Sequence, residues 1–100
     1  MYIFRDVDGM DVRIENCTFT NNYEEGKQGD KSAIMVNAAD HAGISYTVKI
    51  TDCSAEGFYV SPVSNTCLWG IKNPSNTNIG LNATITVDGV TRSWVNGVEQ

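Results

Sequence analysis

Basic residues are scarce in this chain: seven Lys and Arg stand against twelve Asp and Glu, for a formal charge of −5 and a pI near 4.5. A surface of that sign repels phosphate backbones and anionic membrane faces, so nucleic acid is not an expected partner. No apolar run approaches the roughly 20 residues that cross a bilayer, and no membrane insertion is expected. The N-terminal Tyr2-Ile3-Phe4, followed by Arg5 and Asp6, does not read as a signal peptide. Histidine occurs once, at His41, with no serine or cysteine nucleophile beside it, so nothing marks a hydrolase triad. The three cysteines, Cys17, Cys53 and Cys67, are odd in number, and their spacing fits neither a CxxC knuckle nor a dense disulfide scaffold. They are expected as reduced thiols, with Cys17 and Cys53 stacked and filling the interior, and no cofactor or metal is expected. Also missing is any segment with apolar residues three and four apart over three turns, which argues against helices.

What the chain does carry is self-similarity. Val12-Arg13-Ile14-Glu15-Asn16-Cys17 recurs as Val48-Lys49-Ile50-Thr51-Asp52-Cys53 after 36 residues, and as Ile85-Thr86-Val87-Asp88-Gly89-Val90 after another 37. A second series matches Ala33-Ile34-Met35-Val36 to Cys67-Leu68-Trp69-Gly70 at a separation of 34. Within each copy apolar and polar residues alternate, the period of a half-buried strand, and β-branched residues are spread through every strand candidate. The chain is therefore expected to be all-β. Equivalent positions returning at one period favour a right-handed parallel β-helix of about two to three rungs, with residues such as Ile14, Ile50 and Val87 in one ladder. An antiparallel β-sandwich of seven or eight short strands is the alternative.

Punctuation supports this division. Residues 23–31 carry charges and glycines without an apolar period and read as an exposed excursion; residues 72–78 read as a polar, turn-rich loop. Asp88-Gly89 is the strongest hairpin signal and would fold the last strand back on its predecessor, and Asn96-Gly97 is a further turn. Val12, Ile14, Ile34, Val48, Ile50, Leu68, Ile85 and Val87 are the expected core. Residues 1–100 thus read as a single β-solenoid domain or as the C-terminal fragment of a longer β-helix.

The segments Val12 to Phe19, Lys31 to Ile34, Tyr46 to Cys53, Leu68 to Asn73 and Ile85 to Gly89, in that order, resemble the right-handed β-helix proteins of the pectin-lyase-like superfamily. More narrowly they resemble the C-terminal repeats of cell-surface β-helix proteins of gut Firmicutes. The resemblance implies a bacterial protein at the cell surface or outside the cell, with glycan binding or adhesion as its role. Lyases of the superfamily use carboxylates, calcium and a basic residue on one face.

Side chains that could carry such chemistry are few. Arg13 and Lys49 occupy equivalent positions, so their charges are expected one above the other on the outer face, a contact for an acidic sugar. Trp94 could offer its indole to a sugar ring, because Arg92 and Ser93 beside it point to an edge, whereas Trp69 lies in an apolar run and is expected in the core. Asp6, Asp8 and Asp11 match no calcium-loop spacing and read as an acidic turn. The expected function is a non-catalytic surface module in contact with carbohydrate. A polysaccharide lyase or hydrolase fragment and a ligand-free structural end-cap are the alternatives. No catalytic residue is assigned. Because only the C-terminal end has a visible cap, a homodimer through the N-terminal end is expected.

Overall fold

The computed structural model describes residues 1–3, 8–22, 29–37, 44–72 and 81–100. Asp6, Tyr23, His41 and most of the two expected loops lie outside them. The described chain is all-β, without helices, and its strands fall into three sheets. In order they are β1 (Tyr2–Ile3), β2 (Met10–Glu15), β3 (Thr18–Thr20), β4 (Ile34–Asn37), β5 (Tyr46–Thr51), β6 (Ser54–Glu56), β7 (Trp69–Lys72), β8 (Ala83–Val87), β9 (Val90–Val95) and β10 (Val98–Glu99).

Equivalent strands of successive copies lie side by side and parallel: β1-β4-β7 in one sheet, β2-β5-β8 in a second and β3-β6 in a third. Val12 stands against Val48 and Val48 against Ile85, with Ile14, Ile50 and Val87 aligned in the next inward row. Antiparallel pairing, which the sandwich alternative requires throughout, is confined among the described residues to β8-β9, β9-β10 and the Ser61–Thr66 bridge. The second sheet is therefore mixed, with order β10-β9-β8-β5-β2.

The corners explain both the repetition and its end. Asn16 and Asp52, which follow β2 and β5, each have φ of 54°, the left-handed region that Asn and Asp enter more readily than other side chains. One such residue turns the chain toward the next sheet. In the third copy Asp88 and Gly89 both have positive φ, 47° and 84°. Two successive left-handed residues make the tight turn whose twist suits a hairpin, so β9 returns antiparallel along β8. The layers are also stapled at their corners: the Asp52 amide donates to Asp88 Oδ1 at 2.9 Å, and the Asn16 amide to the Thr51 carbonyl at 3.0 Å.

Burial follows the register. Ile14, Ile34, Val48, Ile50 and Ile85 are buried, joined by Ile3, Val36, Tyr46, Trp69, Leu81, Ala83 and Trp94. Val12, Leu68 and Val87, also expected in the core, are only partly buried against it. Val12 lies on the outermost strand of its sheet, and Val87 is the last residue before the turn. For Leu68 the cause is register. Ile34 pairs with Trp69 and Met35 with Gly70, a separation of 35 where the sequence match places 34. A shift of one residue exchanges the faces of a strand, and it is Trp69 that enters the core beside Ile34. The cysteines are free and half-buried, flanking the core where they were expected to fill it. Cys17 donates to the Glu15 carbonyl at 3.2 Å and Cys67 to the Ala55 carbonyl at 3.2 Å.

The segment after β6 folds over the outside of β4 and β7. Ser61 and Ser32 are buried there, and Ser32 donates to the Tyr59 carbonyl at 2.8 Å. A Cβ on Gly70 would meet Ser61 Cβ and Oγ at 2.9 Å and Ser32 Oγ at 3.2 Å, so no larger residue fits without moving that segment. Gly70→Ala is expected to destabilise by about 1–3 kcal/mol as overpacking. Ile50→Ala, at a fully buried central position, is expected to cost about 2–5 kcal/mol. Urea denaturation measures both, and an Ile50→Ala variant as stable as the parent contradicts the stacked core.

Candidate functional site: the outer face of the mixed sheet

Alternation along β2, β5, β8 and β9 sends every second residue outward, and the register sorts these residues into rows. One row runs Asp11, Thr47, Thr84, Ser93; the next runs Arg13, Lys49, Thr86, Thr91. The result is a pleated face of hydroxyls with two cations side by side, flanked on β2 by the carboxylates of Asp11 and Glu15. Adjacent strands are about 4.8 Å apart, so the Arg13 and Lys49 stems stand close while their charged ends spread into water. Both residues are exposed. Arg13 lies 3.5 Å from Asp11 Oδ2 with 65% of its side chain accessible, a contact that contributes little and leaves the guanidinium available. Lys49 forms no ion pair among the described residues. Thr86 and Thr91 bond to each other through their hydroxyls at 2.9 Å. Toward the start of β5 and β8 the face dips into an open groove of about 410 Å³, where Thr47, Thr84, Asn82 and Ser93 contribute to the wall.

The structure thus brings two of the three expected ligand residues together and separates the third. Trp94 lies on the inward row Met10, Tyr46, Ala83, Trp94 of the same sheet, and is 5% exposed. It lines the groove in part but is too buried to offer a ring face to a sugar. The reason is the hairpin register, which sets Trp94 opposite the buried Ala83. Asp8, from the acidic turn, is engaged elsewhere: its Oδ1 accepts from the Ser45 amide at 3.1 Å and the Ser45 hydroxyl at 3.4 Å.

Below the sheet, the residue of most consequence is Arg92. It continues the inward row Val12, Val48, Ile85, so a cation follows three apolar side chains. Its guanidinium carbon is 5.5 Å from the Trp69 ring centre and 5.2 Å from that of Trp94, and the two indoles meet edge to face at 6.3 Å. The fork donates to Glu99 at 2.8 and 2.7 Å and to the Val63 carbonyl at 3.0 Å. Planar and amphipathic, it closes the C-terminal end of the core while its charge is met by β10. Composition alone did not mark it, but reflecting the alternation of β8 through Asp88-Gly89 assigns Arg92 to the inward side opposite Ile85.

No family description matches this chain, and neither a curated protein nor a solved structure shows significant similarity to it. Among the described residues, no helix is long and apolar enough to cross a membrane.

Two outcomes follow for the Arg92 cluster. Arg92→Ala removes the cation from two indoles and is expected to cost about 1–2 kcal/mol, with a red shift of tryptophan emission as water reaches Trp69 and Trp94. Hydrogen bonding to Arg92 holds the Glu99 carboxyl below its ordinary pKa of 4.5. A lowered folded-state pKa stabilises above the ordinary value, and that contribution is lost as pH falls through the folded one. The melting-temperature gap between the parent and Glu99→Gln should therefore be present at neutral pH and close in acid. A gap that persists unchanged in acid contradicts the assignment.

Proposed function

We propose that this chain is a short right-handed parallel β-helix that binds acidic polysaccharide without catalysis, on the outer face carrying Arg13 and Lys49. Support for the solenoid is the parallel pairing of successive copies in all three sheets, since crossovers between parallel strands are overwhelmingly right-handed. The observation that carries the ligand reading is the pairing of Arg13 with Lys49 on a face whose strands β5, β8 and β9 present the hydroxyls of Thr47, Thr84, Thr86, Thr91 and Ser93, with the carboxylates Asp11 and Glu15 confined to its β2 edge. Two adjacent cations can each engage a carboxylate of a uronic-acid polymer, while the Thr and Ser rows exchange hydrogen bonds with sugar hydroxyls. Such a role places the protein at the cell surface or outside the cell.

Gel electrophoresis through immobilised polygalacturonate, with a neutral glucan as control, tests this. The parent is expected to be retarded only by the acidic polymer, and Arg13→Ala/Lys49→Ala to lose at least fivefold in apparent affinity while remaining folded by circular dichroism. Equal mobility of parent and double variant overturns the reading. Cleavage of the polymer, lost in the double variant, would establish the lyase alternative. The closure of the C-terminal end by Arg92, Trp69 and Trp94 favours a second reading, a terminating structural module, in which no glycan retards the parent.

A further inference from the structure

The two ends of the stack are unlike. At the C-terminal end β9 covers β8, β10 covers part of β9, and Arg92 seals the core. At the other end β2 and β3 are outer strands, each with a single neighbour, β5 and β6. Met10 and Val12 there are only partly buried, while Tyr46 and Val48, their counterparts one layer down, are 2% and 0% exposed. An apolar cross-section and a six-residue strand edge are thus uncovered among the described residues.

The edge of β2 is specific about what it can pair with. The Asn16 amide donates to the Thr51 carbonyl, and since backbone groups alternate along a strand, the amides and carbonyls of Asp11, Arg13 and Glu15 point away from β5. The same three residues carry the outward charges. A second β2 can approach antiparallel in only a few registers that keep inner and outer faces matched. Centred on Arg13, the pairing sets Arg13 against Arg13 and Asp11 against Glu15, like charges throughout. Centred on Asp11, it sets two aspartates together. Centred on Ile14, it sets Arg13 against Glu15 twice but places Val12 against the corner residue Asn16, whose φ of 54° takes it out of the strand and shortens the ladder. Centred on Val12, it sets Asp11 against Arg13 twice, with Val12 against Val12 and Met10 against Ile14 on the inner side, all within β2. Asp11 and Arg13 both have outward backbone groups, so each of the two charge pairs is also a hydrogen-bonded pair.

We infer that this edge binds a second copy of the chain, β2 against β2 about a twofold axis through Val12. The contact is isologous and closes on itself, continues the mixed sheet across the axis and covers the open end of both cores. It goes beyond the glycan reading and does not depend on it: Lys49 plays no part in the contact, and Lys49→Ala leaves it intact.

Sedimentation velocity over micromolar to submillimolar concentrations, without glycan, tests the inference. The parent is expected near twice the 10.9 kDa chain mass. Arg13→Asp sets Asp11 against an aspartate and should shift the chain to monomer, weakening association at least tenfold. Asp11→Arg, which sets arginine against Arg13, should do the same, and Asp11→Arg/Arg13→Asp should restore the dimer. Circular dichroism melting confirms that each variant is folded, and if one single variant fails to fold, the other with the double variant decides. A monomeric parent overturns the inference, as does a folded single variant that remains dimeric, or a folded double variant that stays monomeric while a single variant has dissociated.

Discussion

The parallel register of β2, β5 and β8 is the constraint on which the other features rest. With Val12, Val48 and Ile85 in one row, every second residue of three strands is committed to the interior and every other to solvent. A slip of one residue would exchange the two sets, exposing Ile14 and Ile50 and burying Arg13 and Lys49. Burying those two charges without partners would cost far more than a surface ion pair returns. The register is therefore held from both sides, by the core and by the charges. The corner residues Asn16 and Asp52 hold it in a third way, since each left-handed turn falls at one fixed place in the copy.

The outward and inward rows use the same period differently. The outward rows keep a cation in the first two copies and a hydroxyl in the third, as Arg13, Lys49 and Thr86 follow one another. The inward row beside them changes from Val48 and Ile85 to Arg92 once the chain has reversed. An inward-facing charge near the margin of a sheet discourages a further strand, and here it also spreads over Trp69 and Trp94. A polar residue at a repeat position stands in solvent in one case and packs on two indoles in the other; the side of the sheet decides which.

Much of this was legible in the sequence. The strands around Ile14, Ile50 and Ile85, the outward placement of Arg13 and Lys49, the core position of Trp69 and the Asp88-Gly89 reversal all follow from alternation and turn chemistry. The register of β4 against β7 was not, because Ala33 to Val36 and Cys67 to Ile71 are nearly uniformly apolar. Without alternation, nothing local distinguishes a separation of 34 from 35; the close approach of Ser61 to Gly70 belongs to the tertiary structure. The burial of Trp94 is not legible from its neighbours, because Arg92 beside it reads as a solvent signal. A guanidinium held within 5.5 Å of two indole centres can serve as the lid of a core.

Nuclear Overhauser contacts in the isotopically labelled chain test the parallel stacking of copies most directly. The account predicts amide-to-Hα contacts that link Asn16 to Thr51 and Asp88 to Ile50, and side-chain contacts that join Ile34 to Trp69. Short Hα-to-Hα contacts between β2 and β5, which only antiparallel neighbours give, would contradict it.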